Sequence, residues 1–131
     1  TMLPGTNRAA DRFARASFYI NAIPKNATPE HSLASVFSVI RNASVPFGLN
    51  TEEEPNISST RWRTVVDHKR GLYFFESAVS PNVFWVDLKD INFNDGQAKK
   101  LELGQDQAKT YAGKTNSSFK VTQPFEFLGT K

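Results

Sequence analysis

Leu3-Pro4-Gly5-Thr6-Asn7-Arg8-Ala9-Ala10-Asp11-Arg12-Phe13-Ala14-Arg15-Ala16-Ser17-Phe18 is the stretch around which the chain is organised. Pro4-Gly5 is a strong turn signal, and Thr6 or Asn7 can cap a following helix with its side-chain oxygen. From Ala9 the spacing predicts a helix in which Ala9, Phe13, Ala16 and Ile20 share one face. Arg8, Arg12 and Arg15 stack on adjacent turns, so one side of this helix presents guanidinium groups. Arg8 reads as a surface cation, solvated or paired with a surface carboxylate.

Further along, Pro24 cannot continue a helix, so the first one is expected to end near Asn21-Ala22. Thr28-Pro29-Glu30 starts a second, with Thr28 at the N-cap, Pro29 at the first position and Glu30 near the positive dipole end. Leu33, Val36, Phe37 and Ile40 follow at i, i+3, i+4, i+7 spacing, an apolar stripe that must pack on something. This helix stops before Pro46 and Gly48. Leu49 to Ser59 is polar, and Glu52-Glu53-Glu54-Pro55 reads as a solvated loop.

The second half alternates like a sheet. Trp62, Thr64 and Val66 share one face of a strand, and Arg61, Arg63, Val65 and Asp67 the other. His68-Lys69-Arg70-Gly71 is a turn, and Leu72 to Ser77 returns as the partner strand. Ser80-Pro81-Asn82 turns the chain again into Val83 to Leu88. These last two strands are apolar on both faces and call for cover on both sides. Lys99 to Leu103 reads as a short strand and Phe119 to Phe127 as an edge strand, while the polar segment 104–118 carries no assignment.

Leu3-Pro4-Gly5, six residues, then Arg12-Phe13-x-Arg15-x-x-Phe18 resembles the choloylglycine hydrolase and penicillin V acylase family. These are N-terminal-nucleophile cysteine hydrolases of linear amides. Three further motifs agree in order: Ser44-Val45-Pro46-Phe47-Gly48, the hairpin from Thr60 to Phe75, and Pro81 to Leu88, the last nearest to Gram-negative acylase-like members. The resemblance implies that Arg12 is the catalytic arginine, with Arg15 structural and paired to a carboxylate of the sheet. Thr6 stands where the family has an acid, and Asp11 where it has a serine next to Arg12. The implied fold is α+β: two helices packed on an antiparallel sheet, part of a four-layer α-β-β-α sandwich. Residues 1–131 then read as a single domain or as the C-terminal part of a longer hydrolase domain.

Among 131 residues there is no cysteine, which excludes a disulfide framework, a thiolate metal site and a cysteine nucleophile within them. The fragment alone is therefore expected to be inactive. Thr1 precedes the internal Leu-Pro-Gly motif and reads as a boundary, not a nucleophile. His31 and His68 fall in a helix start and a turn, so neither a metal site nor a cofactor is expected. The net charge of +3 comes from interspersed charges, and Lys99-Lys100 reads as a solvated pair, so no nucleic-acid partner is expected. No apolar run approaches the about 20 residues that span a bilayer, and no membrane partner is expected. Asn26, Asn42, Asn56 and Asn116 head glycosylation sequons that matter only in a glycosylating host.

The expected partner is a small acyl amide, bile salt or penicillin V in type, bound by the full enzyme, which is also expected to be a homo-oligomer. The resemblance to acylase-like members favours the periplasm, and the cytoplasm otherwise. The alternative is a non-catalytic interaction domain that self-associates through an open aromatic sheet face, exposing Phe74 or Phe75 and Phe84 or Trp85.

Overall fold

The computed structural model describes residues 2–53, 55, 57–104 and 111–129. Thr1, Glu54 of the acidic loop, Asn56 at the head of its sequon, residues 105–110 of the polar segment, Thr130 and Lys131 lie outside the described residues. Two compact units, residues 1–65 and 66–131, make up the chain.

In the first unit, helix α1 spans Ala9–Ala22 and helix α2 spans Pro29–Asn42. Neither Thr6 nor Asn7 is the N-cap of α1. That position falls on Arg8, whose side chain makes no capping bond. Thr6 is engaged locally instead: its Oγ1 accepts from the Arg8 N–H at 3.2 Å and donates to the Asp11 carboxylate. The helix closes where the Ile23 N–H donates to the Tyr19 carbonyl at 3.0 Å, just before Pro24. α2 starts as its sequence requires, with Thr28 Oγ1 accepting from the His31 N–H.

The two helices pack against each other, and Phe37 and Val39 of α2 are buried. Phe37 belongs to the expected stripe; Val39 does not. On α1 the expected apolar face is not the buried one. Phe13 is 74% exposed, whereas Arg15 is 9% exposed. The opening loop accounts for the difference, because it turns its carbonyls toward Arg15 and lets a charged side chain be buried with partners.

After α2, residues 43–48 run beside residues 59–60. The Val45 N–H donates to Thr60 Oγ1 at 3.0 Å, and the Thr60 N–H donates to the Val45 carbonyl at 3.1 Å. Val45 is buried at this junction.

Strand β1 (Trp62–Asp67) crosses the division between the units, so Val66 and Asp67 belong to the second. Trp62, Thr64 and Val66 are its exposed face, while Arg63, Val65 and Asp67 are half-buried. The turn that follows is closed by the Gly71 N–H donating to the Asp67 carbonyl at 2.8 Å, with Gly71 at φ +73°. A Cβ is strained there, which is why glycine ends the turn. The Asp67 carboxylate braces the same turn, accepting from the Arg70 N–H at 2.9 Å and from Arg70 Nε at 2.6 Å.

In the second unit β2 (Leu72–Ser77) pairs antiparallel with β3 (Val83–Asp87), placing Phe74 opposite Trp85 and Phe75 opposite Phe84. Both faces are apolar, as read from the sequence. On one face Phe74 and Trp85 meet with ring centroids 5.7 Å apart. On the other, Phe84 stacks on Phe75 at 5.1 Å and takes the edge of Tyr111 at 5.6 Å. Phe74 and Phe84 are 4% and 7% exposed, and Phe75 and Trp85 are half-buried. Of the aromatics named for self-association, Phe74 and Phe84 are thus buried, while Phe75 and Trp85 keep part of their surface.

The unassigned polar segment supplies the next strand. β5 (Gly113–Lys114) pairs parallel with β3, an exception within an otherwise antiparallel sheet. Bonds from Thr115 and Asn116 hold it there. The Thr115 N–H donates to the Trp85 carbonyl at 2.9 Å, Asp87 N–H donates to Asn116 Oδ1 at 2.9 Å, and Asn116 Nδ2 donates to the Asp87 carbonyl at 2.8 Å. Elsewhere in this unit β4 (Lys99–Lys100) and β6 (Lys120–Val121) form a separate antiparallel pair. Both are shorter than expected, and Phe125 and Phe127 lie beyond β6 and are exposed.

Candidate functional site

Arg12 lies in the second turn of α1, half-buried, and its Nε donates to the carbonyl of Ala43 at 2.6 Å. Ala43 is the C-cap of α2. Carbonyls at that end of a helix have no intrahelical partner and carry partial negative charge, so a guanidinium is held there by both a hydrogen bond and the helix dipole. Among the described residues no other hydrogen bond engages the Arg12 guanidinium. One nitrogen is an anchor, and the two terminal nitrogens keep their donors for other groups.

Arg15, one turn on, is a structural tie. Its Nη1 donates to the carbonyls of Pro4 and Thr6, each at 2.8 Å. The expected carboxylate partner is replaced by loop carbonyls, because the chain bends at Thr6 to Arg8 and lays the opening residues back along α1. Asp11 takes its bond from Thr6 and makes none to Arg12. Its nearness in sequence to Arg12 therefore does not translate into a hydrogen bond between the two side chains.

The segment that carries the Ala43 carbonyl is itself clamped. Ser44 Oγ donates to the Ile40 carbonyl at 2.7 Å, satisfying one acceptor of the last turn of α2, and accepts from Arg63 Nε at 2.7 Å. Beside this segment, in the same unit, lies an open depression of about 730 Å³ bounded by Phe47, Ile57, Thr60, Arg61 and Trp62. Arg12 is not in its lining. Sequence reasoning missed Ala43 and Ser44 as site residues. Ala43 has no side-chain signal at all, since its carbonyl is the functional group.

His31 is exposed in the first turn of α2, and His68 lies in the turn after β1. Among the described residues no group of three or more His, Cys, Asp or Glu is placed to hold a metal ion, and no helix is long and apolar enough to cross a membrane. Lys99 is not simply solvated but pairs with Asp95 at 2.6 Å. That bond holds the Asp95 carboxyl below its usual range. The Arg70 N–H and then its guanidinium do the same for Asp67, while the Asp90 carboxylate, followed by Asp87, raises Lys114. All three are surface braces remote in sequence from Arg12.

The family model described as linear amide C-N hydrolases, choloylglycine hydrolase family, matches residues 1–102. A penicillin V acylase of Pectobacterium atrosepticum is 58% identical over 142 aligned positions, covering 98% of this chain and 38% of that protein. The structure of penicillin V acylase from Agrobacterium tumefaciens superposes with a TM-score of 0.88 at 62% identity, over 98% of this chain and 41% of that one. A mutant conjugated bile acid hydrolase from Clostridium perfringens shares the fold, with a TM-score of 0.58 at 19% identity over 98% of this chain and 33% of that one. The chain thus spans about two fifths of the length of the acylases it matches. Its two helices and antiparallel sheet are those of the N-terminal-nucleophile hydrolase fold.

Proposed function

The chain belongs to the choloylglycine hydrolase family of linear amide C-N hydrolases, and we propose that it forms part of an acylase whose active-site arginine is Arg12. The substrate is a small acyl amide of the penicillin V or bile-salt type, with the penicillin V type favoured by the 58% identity to an acylase of that name. The observation that carries this reading is the anchoring of Arg12. Its Nε is held on the Ala43 carbonyl at 2.6 Å while the far end of the guanidinium keeps its donors.

These residues contain no cysteine, so the nucleophile of the proposed enzyme is a cysteine at the mature N-terminus of a longer chain. Its thiol proton passes to its own α-amino group, and the thiolate attacks the amide carbonyl. The tetrahedral oxyanion collapses to a thioester as the amine leaves with that proton, and water then releases the acid and restores the thiol. Arg12 lowers the thiol pKa, because a fixed positive charge favours the thiolate and a guanidinium does not lose its proton. Residues 1–131 alone hydrolyse nothing on this reading.

The test is Arg12→Ala in the complete enzyme. Amide turnover is expected to fall with the far-UV spectrum retained, and alkylation of the cysteine by iodoacetamide should require higher pH. Wild-type turnover in a folded mutant would falsify the role of Arg12.

A second reading is a non-catalytic interaction domain that self-associates. The observation favouring it is a set of large apolar side chains near the end of the chain: Phe125, Phe127 and Leu128 are 80%, 88% and 100% exposed. The encoded reading frame separates the two. An N-terminal cysteine upstream of Thr1 supports the acylase, and its absence leaves the interaction domain.

A further inference from the structure

The Ala43 carbonyl can hold Arg12 only if the end of α2 is itself held. A helix C-terminus frays readily, since its last carbonyls lack intrahelical partners. Here hydrogen bonds act on three consecutive residues, Ala43, Ser44 and Val45. Arg12 Nε takes the Ala43 carbonyl at 2.6 Å. Ser44 Oγ bridges Arg63 Nε and the Ile40 carbonyl, 2.7 Å from each. Thr60 pairs with Val45 through both its hydroxyl and its backbone N–H.

Ser44 is the node of this arrangement. Its hydroxyl has one proton, which goes to Ile40, and its lone pairs accept from the guanidinium of Arg63. A charged donor on that oxygen polarises the hydroxyl and strengthens the bond it donates. The carbonyl that anchors Arg12 belongs to the residue immediately before this node. Any movement of Ser44 therefore moves the Ala43 peptide.

We infer that Ser44 and Arg63 are positioning residues that set the placement of the Arg12 guanidinium through the Ala43 carbonyl. The inference rests on the reading of Arg12 as the active-site arginine. Neither residue touches the reacting atoms on this account. They keep the anchor of Arg12 in one place while the catalytic groups react.

The experiment is steady-state kinetics of the complete enzyme on penicillin V, comparing Ser44→Ala, Ser44→Thr and Arg12→Lys, alone and combined. Ser44→Ala should lower kcat roughly tenfold, the scale expected for a small misplacement of an active-site group. KM should stay within about twofold, because the loss falls on the transition state and not on substrate binding. Ser44→Thr keeps the hydroxyl and should restore most of the rate. In the Arg12→Lys background, which has already lost the Nε bond, Ser44→Ala should remove less than about twofold more. A Ser44→Ala enzyme with full kcat overturns the inference, as does an equal loss in both backgrounds. Should Ser44→Ala fail to fold, Arg63→Gln supplies the same comparison. Full activity in Arg12→Lys likewise overturns the inference, since the Nε anchor is then dispensable, whereas the reading of Arg12 itself falls only if Arg12→Ala keeps wild-type turnover.

Discussion

Arg12 Nε and the carbonyl oxygen of Ala43 lie 2.6 Å apart, joining the second turn of α1 to the C-cap of α2. The two residues are 31 positions apart in the chain, so this bond depends on how the helices pack and not on either helix alone. It divides the guanidinium into an anchored nitrogen and two terminal ones. That division underlies the expectations for the site.

Arg12→Lys keeps a positive charge but cannot hold Ala43 and present further donors from one planar group. We expect kcat of the complete enzyme to drop on the order of 100-fold, the loss typical of removing one positioned donor. Thermal melting should shift by much less than activity does. A lysine enzyme with near-normal kcat would show that charge alone suffices.

Arg15→Ala removes two bonds from a buried guanidinium and leaves the Pro4 and Thr6 carbonyls without that partner. The expected cost is about 3 kcal/mol, read as a lower urea midpoint at unchanged slope. A loss below about 0.5 kcal/mol, the range of ordinary surface substitutions, would contradict the tie.

Phe84→Ala opens a cavity between Phe75 and Tyr111 in a sheet face that is 7% exposed at this position. The expected destabilisation is about 3–5 kcal/mol by denaturant titration. Phe84→Leu should recover part of it. Equal stability of the two variants would mean that the ring contacts contribute little.

Asp67 has its carboxyl depressed in the folded state, first by the Arg70 N–H and then by the Arg70 guanidinium. A depressed acid contributes stability above its unfolded pKa and loses it as pH falls through the folded value. The turn brace is therefore complete at neutral pH and disappears in acid, below the ordinary carboxylate range. Asp67→Asn should flatten this part of the acid unfolding profile, while leaving the alkaline side unchanged. An unaltered acid limb would remove Asp67 from the account.

Residues 1–131 alone are expected to self-associate, with Phe125, Phe127 and Leu128 among the most exposed apolar side chains available for it. Light scattering over a concentration series measures this, and the triple substitution to serine should return a monomer. A stable monomer of the unaltered chain at high concentration would count against it.

Much of the fold was legible because local rules and tertiary packing agreed. Thr28-Pro29 starts α2, Pro24 ends α1, and Gly71 ends the hairpin turn at positive φ. Short runs apolar on both faces and bounded by turns located β2 and β3 for the same reason. The buried face of α1 was misread because hydrophobic spacing cannot anticipate a loop that offers carbonyls to Arg15. β5 was missed because two residues held by Thr115 and Asn116 leave no periodic pattern.

The sequence by itself determined α1, α2 and β1 to β3, their order and the family, since the motif around Arg12 keeps its spacing and the later motifs follow in line. It also determined that a cysteine nucleophile cannot come from these 131 residues. Only the tertiary structure decided what Arg12, Arg15 and Ser44 touch. Their partners are mostly backbone carbonyls, at Ala43, Pro4, Thr6 and Ile40. Every residue carries such a carbonyl, so side-chain identity gives no sign of which one will be turned toward a guanidinium or a hydroxyl.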